Sequence, residues 1–164
     1  MNVVLSKKQQ GFTLIEMVIT AAIVALLASI ALPMAEVEAQ RNKERELRNS
    51  LWQIRAALDA YKQAVETGHV FKKVGDSGYP PSLQVLVDGV EDAKSPDASK
   101  PKIYFLRHIA RDPLNKDREL TAEQTWGKRS YASSATDPKE GKDVFDVYSQ
   151  AAGNGLNGVP YREW

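Results

Sequence analysis

The chain has 164 residues, 26% of them charged, a formal net charge of +1 and no cysteine. So even a charge balance gives no electrostatic footprint for nucleic acid, and the missing thiols exclude disulfide stapling, a cysteine nucleophile and cysteine-ligated zinc. With an apolar N-terminal segment set aside, roughly 100 residues remain for one globular domain, a size at which the contacts holding the last turns matter.

Residues 12–34 read FTLIEMVITAAIVALLASIALPM, 23 residues with one ionisable side chain, Glu16. As a helix they span about 34 Å, enough for a hydrocarbon core of roughly 30 Å. The competing reading is a secretory signal peptide, with Lys7 and Lys8 as its basic region and Ser29-Ile30-Ala31 as a small-residue cleavage site. Glu16 separates the two. A carboxylate in an apolar span costs on the order of 2.5–3.5 kcal/mol, and a signal peptide has no use for it. If the chain is cut between Gly11 and Phe12, a new ammonium stands at the first residue, with Glu16 one turn later on the same face. The carboxylate then lies near the positive end of the helix dipole and neutralises an N-terminal ammonium, its own or a neighbour's.

The run Lys7-Lys8-Gln9-Gln10-Gly11-Phe12-Thr13-Leu14-Ile15-Glu16 resembles the processing site of type IV pilins and of the pseudopilins of type II secretion. The resemblance implies that a membrane prepilin peptidase cuts after Gly11 and methylates Phe12, and that Glu16 docks the subunit into a growing filament. It also implies that residues 1–11 are a cleaved leader, 12–34 a transmembrane and filament-core helix, 35–66 its amphipathic continuation and 67–164 a periplasmic globular domain. Charge counting disagrees on orientation. Lys7 and Lys8 precede the helix, while Arg41, Lys43, Arg45 and Arg48 follow it, which by the positive-inside rule puts the C-terminal part in the cytoplasm. The resemblance implies the opposite, a cytoplasmic leader and a periplasmic domain, and its motif is the more specific signal. Loss of the leader lysines takes the formal charge from +1 to −1.

Pro33 removes one helical hydrogen bond and crowds the carbonyl of Ser29. Either the helix ends at Leu32 or it continues with a weak point. The strong helix formers from Ala35 onward, with no glycine until Gly68, favour continuation, and the resemblance makes Pro33 a place where the helix loosens as subunits pack.

Beyond residue 35 the segment AEVEAQRNKEREL is too polar to face a core and reads as a solvated face, with Glu44 and Arg48 as an i,i+4 pair. Its charges would set filament register, so reversing Glu44 or Arg48 is expected to alter assembly without unfolding the domain. Then Leu47, Leu51, Ile54, Leu58, Tyr61 and Val65 recur at spacings of four and three, one helix face packed against a sheet. The stripe is too short for a coiled coil. The predicted helix runs from Phe12 to Val65, about 80 Å.

Gly68 and the run Gly75 to Pro81 break the helix. Tyr79-Pro80-Pro81-Ser82 leads into a short helix with Ser82 as N-cap. Residues 88–101 form a polar loop, followed by Ile103 to Ile109 and a turn at Arg111-Asp112-Pro113. Two strands are predicted, Arg129 to Ser134 and Val144 to Ser149, joined through Asp137-Pro138 to Gly141. The fold class is α+β, one long helix against a small antiparallel sheet.

The order Tyr79-Pro80, Leu83, Leu86, Arg111-Asp112-Pro113, Asp146-Val147-Tyr148-Ser149 and Trp164 is most similar to the major, G-type pseudopilins. That resemblance implies a C-terminal loop closed by calcium. The matching stretch, residues 149–160, has no carboxylate, and calcium affinity depends on ligand charge. Asn154 and Asn157 alone make a weak site, to which Asp143, Asp146 and Glu163 would contribute only if the fold brings them in. The alternative is closure by packing of Tyr161 and Trp164 around Asn-Gly turns, and no cofactor is required.

No catalytic constellation stands out. His69 and His108 have no neighbouring ligand spacing, and Gly153-Asn154-Gly155 lacks the lysine and helix of a phosphate loop. The resemblance implies a non-enzymatic pseudopilus subunit of a type II secretion system. Its partners would be copies of itself, prepilin peptidase, an inner-membrane assembly platform, minor pseudopilins and membrane lipid, with no nucleic acid. The alternatives are a minor, adhesive or competence type IV pilin, for which Lys72, Lys73 and Arg129 are too few charges to hold DNA strongly, and a periplasmic binding module with an ordinary signal peptide.

Overall fold

The computed structural model describes residues 11–96 and 101–164. Helix α1 spans Leu14–Glu66 with Pro33 inside it, so the helix does not stop at Leu32. The first ten residues, with Lys7 and Lys8, lie outside the described residues. The chain divides within α1 into two compact units, residues 1–40 and 41–164, each described by itself.

In the first unit every residue from 11 to 39 is exposed. Leu14, Ile15, Val18, Ile23, Leu26, Leu27 and Leu32 all present their side chains outward. The helix is long and apolar enough to cross a membrane, judged by length and composition. So much contiguous apolar surface demands a cover.

The second unit carries the core. Leu47, Leu51, Ile54, Leu58, Tyr61 and Val65 of α1 are buried, together with Ala57, against Val70, Leu83, Leu86, Trp126, Val144, Val147 and Tyr161. Each large side chain so removed from water contributes about 1.5–3 kcal/mol before entropy is charged against it. α1 ends in a Schellman motif: the Gly68 N–H donates to Val65 O and the His69 N–H to Ala64 O. Gly68 has φ +78°, a conformation that glycine takes without Cβ strain.

Helix α2, Gln84–Asp88, follows. Its N-cap position is held by Leu83 without a side-chain cap, which corrects the expected Ser82 cap. Glu123, forty residues on, accepts the Leu83 N–H at 3.1 Å instead. Strands β1, Val90–Glu91, and β2, Lys102–Ile103, form one antiparallel pair. Strands β3, Trp126–Arg129, and β4, Asp146–Ser149, form another, with Trp126 opposite Ser149 and Arg129 opposite Asp146. The expected strand from Arg129 to Ser134 therefore lies too late. The Ser133 N–H and hydroxyl both donate to Ser130 O, turning the chain there. β4 begins two residues later than expected because the Val144 N–H donates to Pro80 O rather than joining the ladder.

Within β3, a Cβ on Gly127 would stand 2.3 Å from the ring of Tyr148, its register partner. That close approach explains a glycine in a strand centre.

Candidate functional site

At the head of α1, Gly11 and Phe12 precede the helix and are exposed. The peptide bond between them lies ahead of the first helical residue, Leu14. Among the described residues a Cβ at Gly11 would meet nothing within 4 Å, so no packing against them asks for glycine there. Thr13 and Glu16 form a capping box. The Glu16 N–H donates to Thr13 Oγ1 at 3.3 Å and the Thr13 N–H to Glu16 Oε2 at 3.4 Å. The carboxylate is thus folded back over the helix N-terminus, where backbone donors and the dipole stabilise it, next to where cleavage would leave an ammonium.

In the globular unit the C-terminal segment is fastened to α1 by three side chains. Glu44 is 6% exposed, and its Oε1 accepts the Leu156 N–H and the Tyr161 hydroxyl, both at 2.9 Å. This corrects the reading of residues 36–46 as a wholly solvated face. The Arg48 guanidinium lies 4.4 Å from the Trp164 ring centroid, rather than serving only a pair with Glu44. Arg55 donates to Trp164 O at 2.7 Å, to Val147 O at 3.1 Å and to Asp146 Oδ1 at 2.7 Å. Tyr161 and Trp164 meet edge to face, with centroids 5.2 Å apart.

Of the residues put forward for calcium, Asp143, Asp146, Asn154 and Asn157 have separate protein partners. Asp146 is flanked by Arg55 and by Arg129, the latter at 3.2 Å. Asp143 accepts the Ser130 hydroxyl at 2.7 Å and the Tyr131 N–H at 2.9 Å. Burial alone would push the Asp143 carboxyl up, but hydrogen bonds from Ser77, Ser130 and Tyr131 outweigh it and hold the group below its ordinary value. Asn157 caps its own turn by accepting the Val159 N–H, and Asn154 bridges to Pro160. No cluster of three or more His, Asp or Glu suited to a metal occurs among the described residues.

Two polar knots escaped the sequence reading. Asp112 is buried, accepts the Ser149 hydroxyl and the Leu114 N–H, and receives its own support from Thr125, whose hydroxyl accepts the Asp112 N–H. The Arg-Asp-Pro turn is therefore tied to β4. His69, expected to stand isolated, places Nδ1 2.9 Å from Asp92. The Lys94 N–H and then His69 hold the Asp92 carboxyl below the usual carboxylate range. The Asp112 turn was visible as a motif but not as a buried one, and nothing local pairs residues 69 and 92.

The geometry defines a class: an exposed apolar helix opened by a glycine-aromatic junction and a capped glutamate, followed by a small α+β domain. Residues 6–32 match the family model described as the prokaryotic N-terminal methylation motif. The chain is 24% identical to the type II secretion system core protein G of Dickeya chrysanthemi, over 94% of this chain and 97% of that one. It is 27% identical to the protein of that name from Pseudomonas aeruginosa, covering 86% and 93% of the two chains. A third, from Klebsiella pneumoniae, is 25% identical over 84% and 94%. No solved structure matches the chain. The motif and these relatives together support a major pseudopilin of the type IV pilin-like family.

Proposed function

We propose that this chain is the repeating structural subunit of the pseudopilus of a type II secretion system, which drives protein export across the outer membrane. A prepilin peptidase cuts between Gly11 and Phe12 and methylates Phe12. The apolar half of α1 rests in the inner membrane as a single span, with the globular unit in the periplasm. Its partners are copies of itself, the inner-membrane assembly platform, minor pseudopilins and lipid. The chain is a substrate of an enzyme and a building element, not a catalyst.

The observation that carries this reading is the pairing of a methylation motif over residues 6–32 with an apolar first part of α1, residues 14–34, that is wholly exposed. Lipid covers that surface first and neighbouring helices cover it in the filament, where Glu16 exchanges its capping-box contact for a neighbour's ammonium. Deleting the gene from its bacterium and following export across the outer membrane tests it. Export should stop, and return with the wild-type chain but not with Glu16→Ala. Intact export with lost surface attachment or DNA uptake would point to a type IV pilus instead.

A further inference from the structure

We infer that the C-terminal segment of this chain is closed by an intramolecular anion lock centred on Glu44, in place of the calcium ion that resemblance to the major pseudopilins implies. The two devices are opposite in sign. A cation gathers oxygen acceptors from a loop, whereas a carboxylate gathers donors, and this segment turns donors toward α1. The Leu156 N–H and the Tyr161 hydroxyl converge on one oxygen of Glu44 at 2.9 Å each.

The donor set does not fit calcium, which takes six to eight oxygens, carboxylates prominent among them. Residues 150–160 hold no carboxylate, and three of their carbonyls already accept hydrogen bonds within the segment. Val159 O accepts the Gly155 N–H at 2.9 Å and Trp164 Nε1 at 3.2 Å, Gly155 O accepts the Gly158 N–H at 2.8 Å, and Gly153 O accepts the Tyr161 N–H at 3.3 Å. Of the nearest aspartates in sequence, Asp146 is flanked by the guanidinium groups of Arg55 and Arg129, two positive charges that would repel a cation. Asp143 is engaged by Ser130 and Tyr131.

The lock is completed by packing. Arg48 covers the Trp164 ring and Arg55 donates to the Trp164 main-chain oxygen. Gly155 lies so close beneath that ring that an added Cβ would stand 2.3 Å from it. Closure therefore depends on α1 being formed beside the segment, not on the divalent cation content of the medium.

The test uses the full chain purified in detergent, with thermal unfolding of the globular unit followed by tryptophan fluorescence, in calcium chloride and in a calcium chelator. The same midpoint is expected in both media, with no saturable heat when calcium is titrated in a calorimeter. Tyr161→Phe, which removes only the hydroxyl, is expected to lower the midpoint by about 5–12 °C in both media. Arg48→Ala should change the Trp164 emission while the unit stays folded. A midpoint that rises with calcium, or saturable binding, overturns the inference. So does a Tyr161→Phe chain that unfolds at the wild-type temperature.

Discussion

Glu44 and Tyr161 are separated by 117 positions in the chain, yet the phenolic hydroxyl donates to the buried carboxylate at 2.9 Å. A hydrogen bond to a charged acceptor contributes about 1.5–3 kcal/mol, so Tyr161→Phe should lower the unfolding free energy by that amount in denaturant titrations. Glu44→Lys should cost more, because it places a cation against the Leu156 N–H and the Tyr161 hydroxyl. Reversal at Glu44 therefore unfolds the C-terminal segment, contrary to what a solvated polar face suggests, and only assembly assays at other positions can probe filament register.

Leu51 and Leu58 lie fully inside the core on the stripe of α1. Leu→Ala at either should destabilise the globular unit by about 2–5 kcal/mol, measured by chemical unfolding. Trp52, 71% exposed on the same helix, serves as control: Trp52→Ala should shift stability by less than about 0.5 kcal/mol.

Gly127 sits beneath the ring of Tyr148. Gly127→Ala overfills this contact and should cost about 1–3 kcal/mol. Combining it with Tyr148→Ser removes the clash, so the double variant should lose less than the two single losses added together.

Asp143 has a carboxyl held below its ordinary value of 3.8 by hydrogen bonds that outweigh its burial. A lowered folded-state value means that the unfolded chain binds the proton more readily, so the group stabilises the fold at pH values above 3.8 and this contribution is lost as pH falls through the folded value. Asp143→Asn should destabilise near neutrality, and the gap between variant and wild type should shrink on titrating from about pH 5 to pH 2. A gap that widens in acid would contradict the assignment.

How much of this was legible in the sequence follows from range. The stripe from Leu47 to Val65 is written in spacings of three and four residues and the stop at Gly68 in a single residue type, so local signals carry both, whereas the capping box of Thr13 and Glu16 emerges only in the structure. The contacts between Glu44 and Tyr161, Asp112 and Ser149, and His69 and Asp92 join positions with no local signature. Only the folded chain brings them together, so Glu44 reads as one more charge in a polar run. β3 was misplaced for a related reason. Trp-Gly-Lys-Arg lacks the β-branched residues that mark a strand, and its glycine answers a partner twenty-one residues away. The calcium expectation rests on resemblance, and three of the residues it draws on, Asp146, Asp143 and Asn157, are engaged by arginines, hydroxyls and a turn amide respectively.

In the proposed function Gly11-Phe12 is a processing junction whose product carries Glu16 one turn from a new N-terminus. The most direct measurement is the N-terminal sequence and mass of the chain isolated from the membranes of its own bacterium. A single species beginning at Phe12, heavier by one N-methyl group, is expected. A chain that begins at Leu32, or one that retains residues 1–11 in cells with active prepilin peptidase, would contradict it.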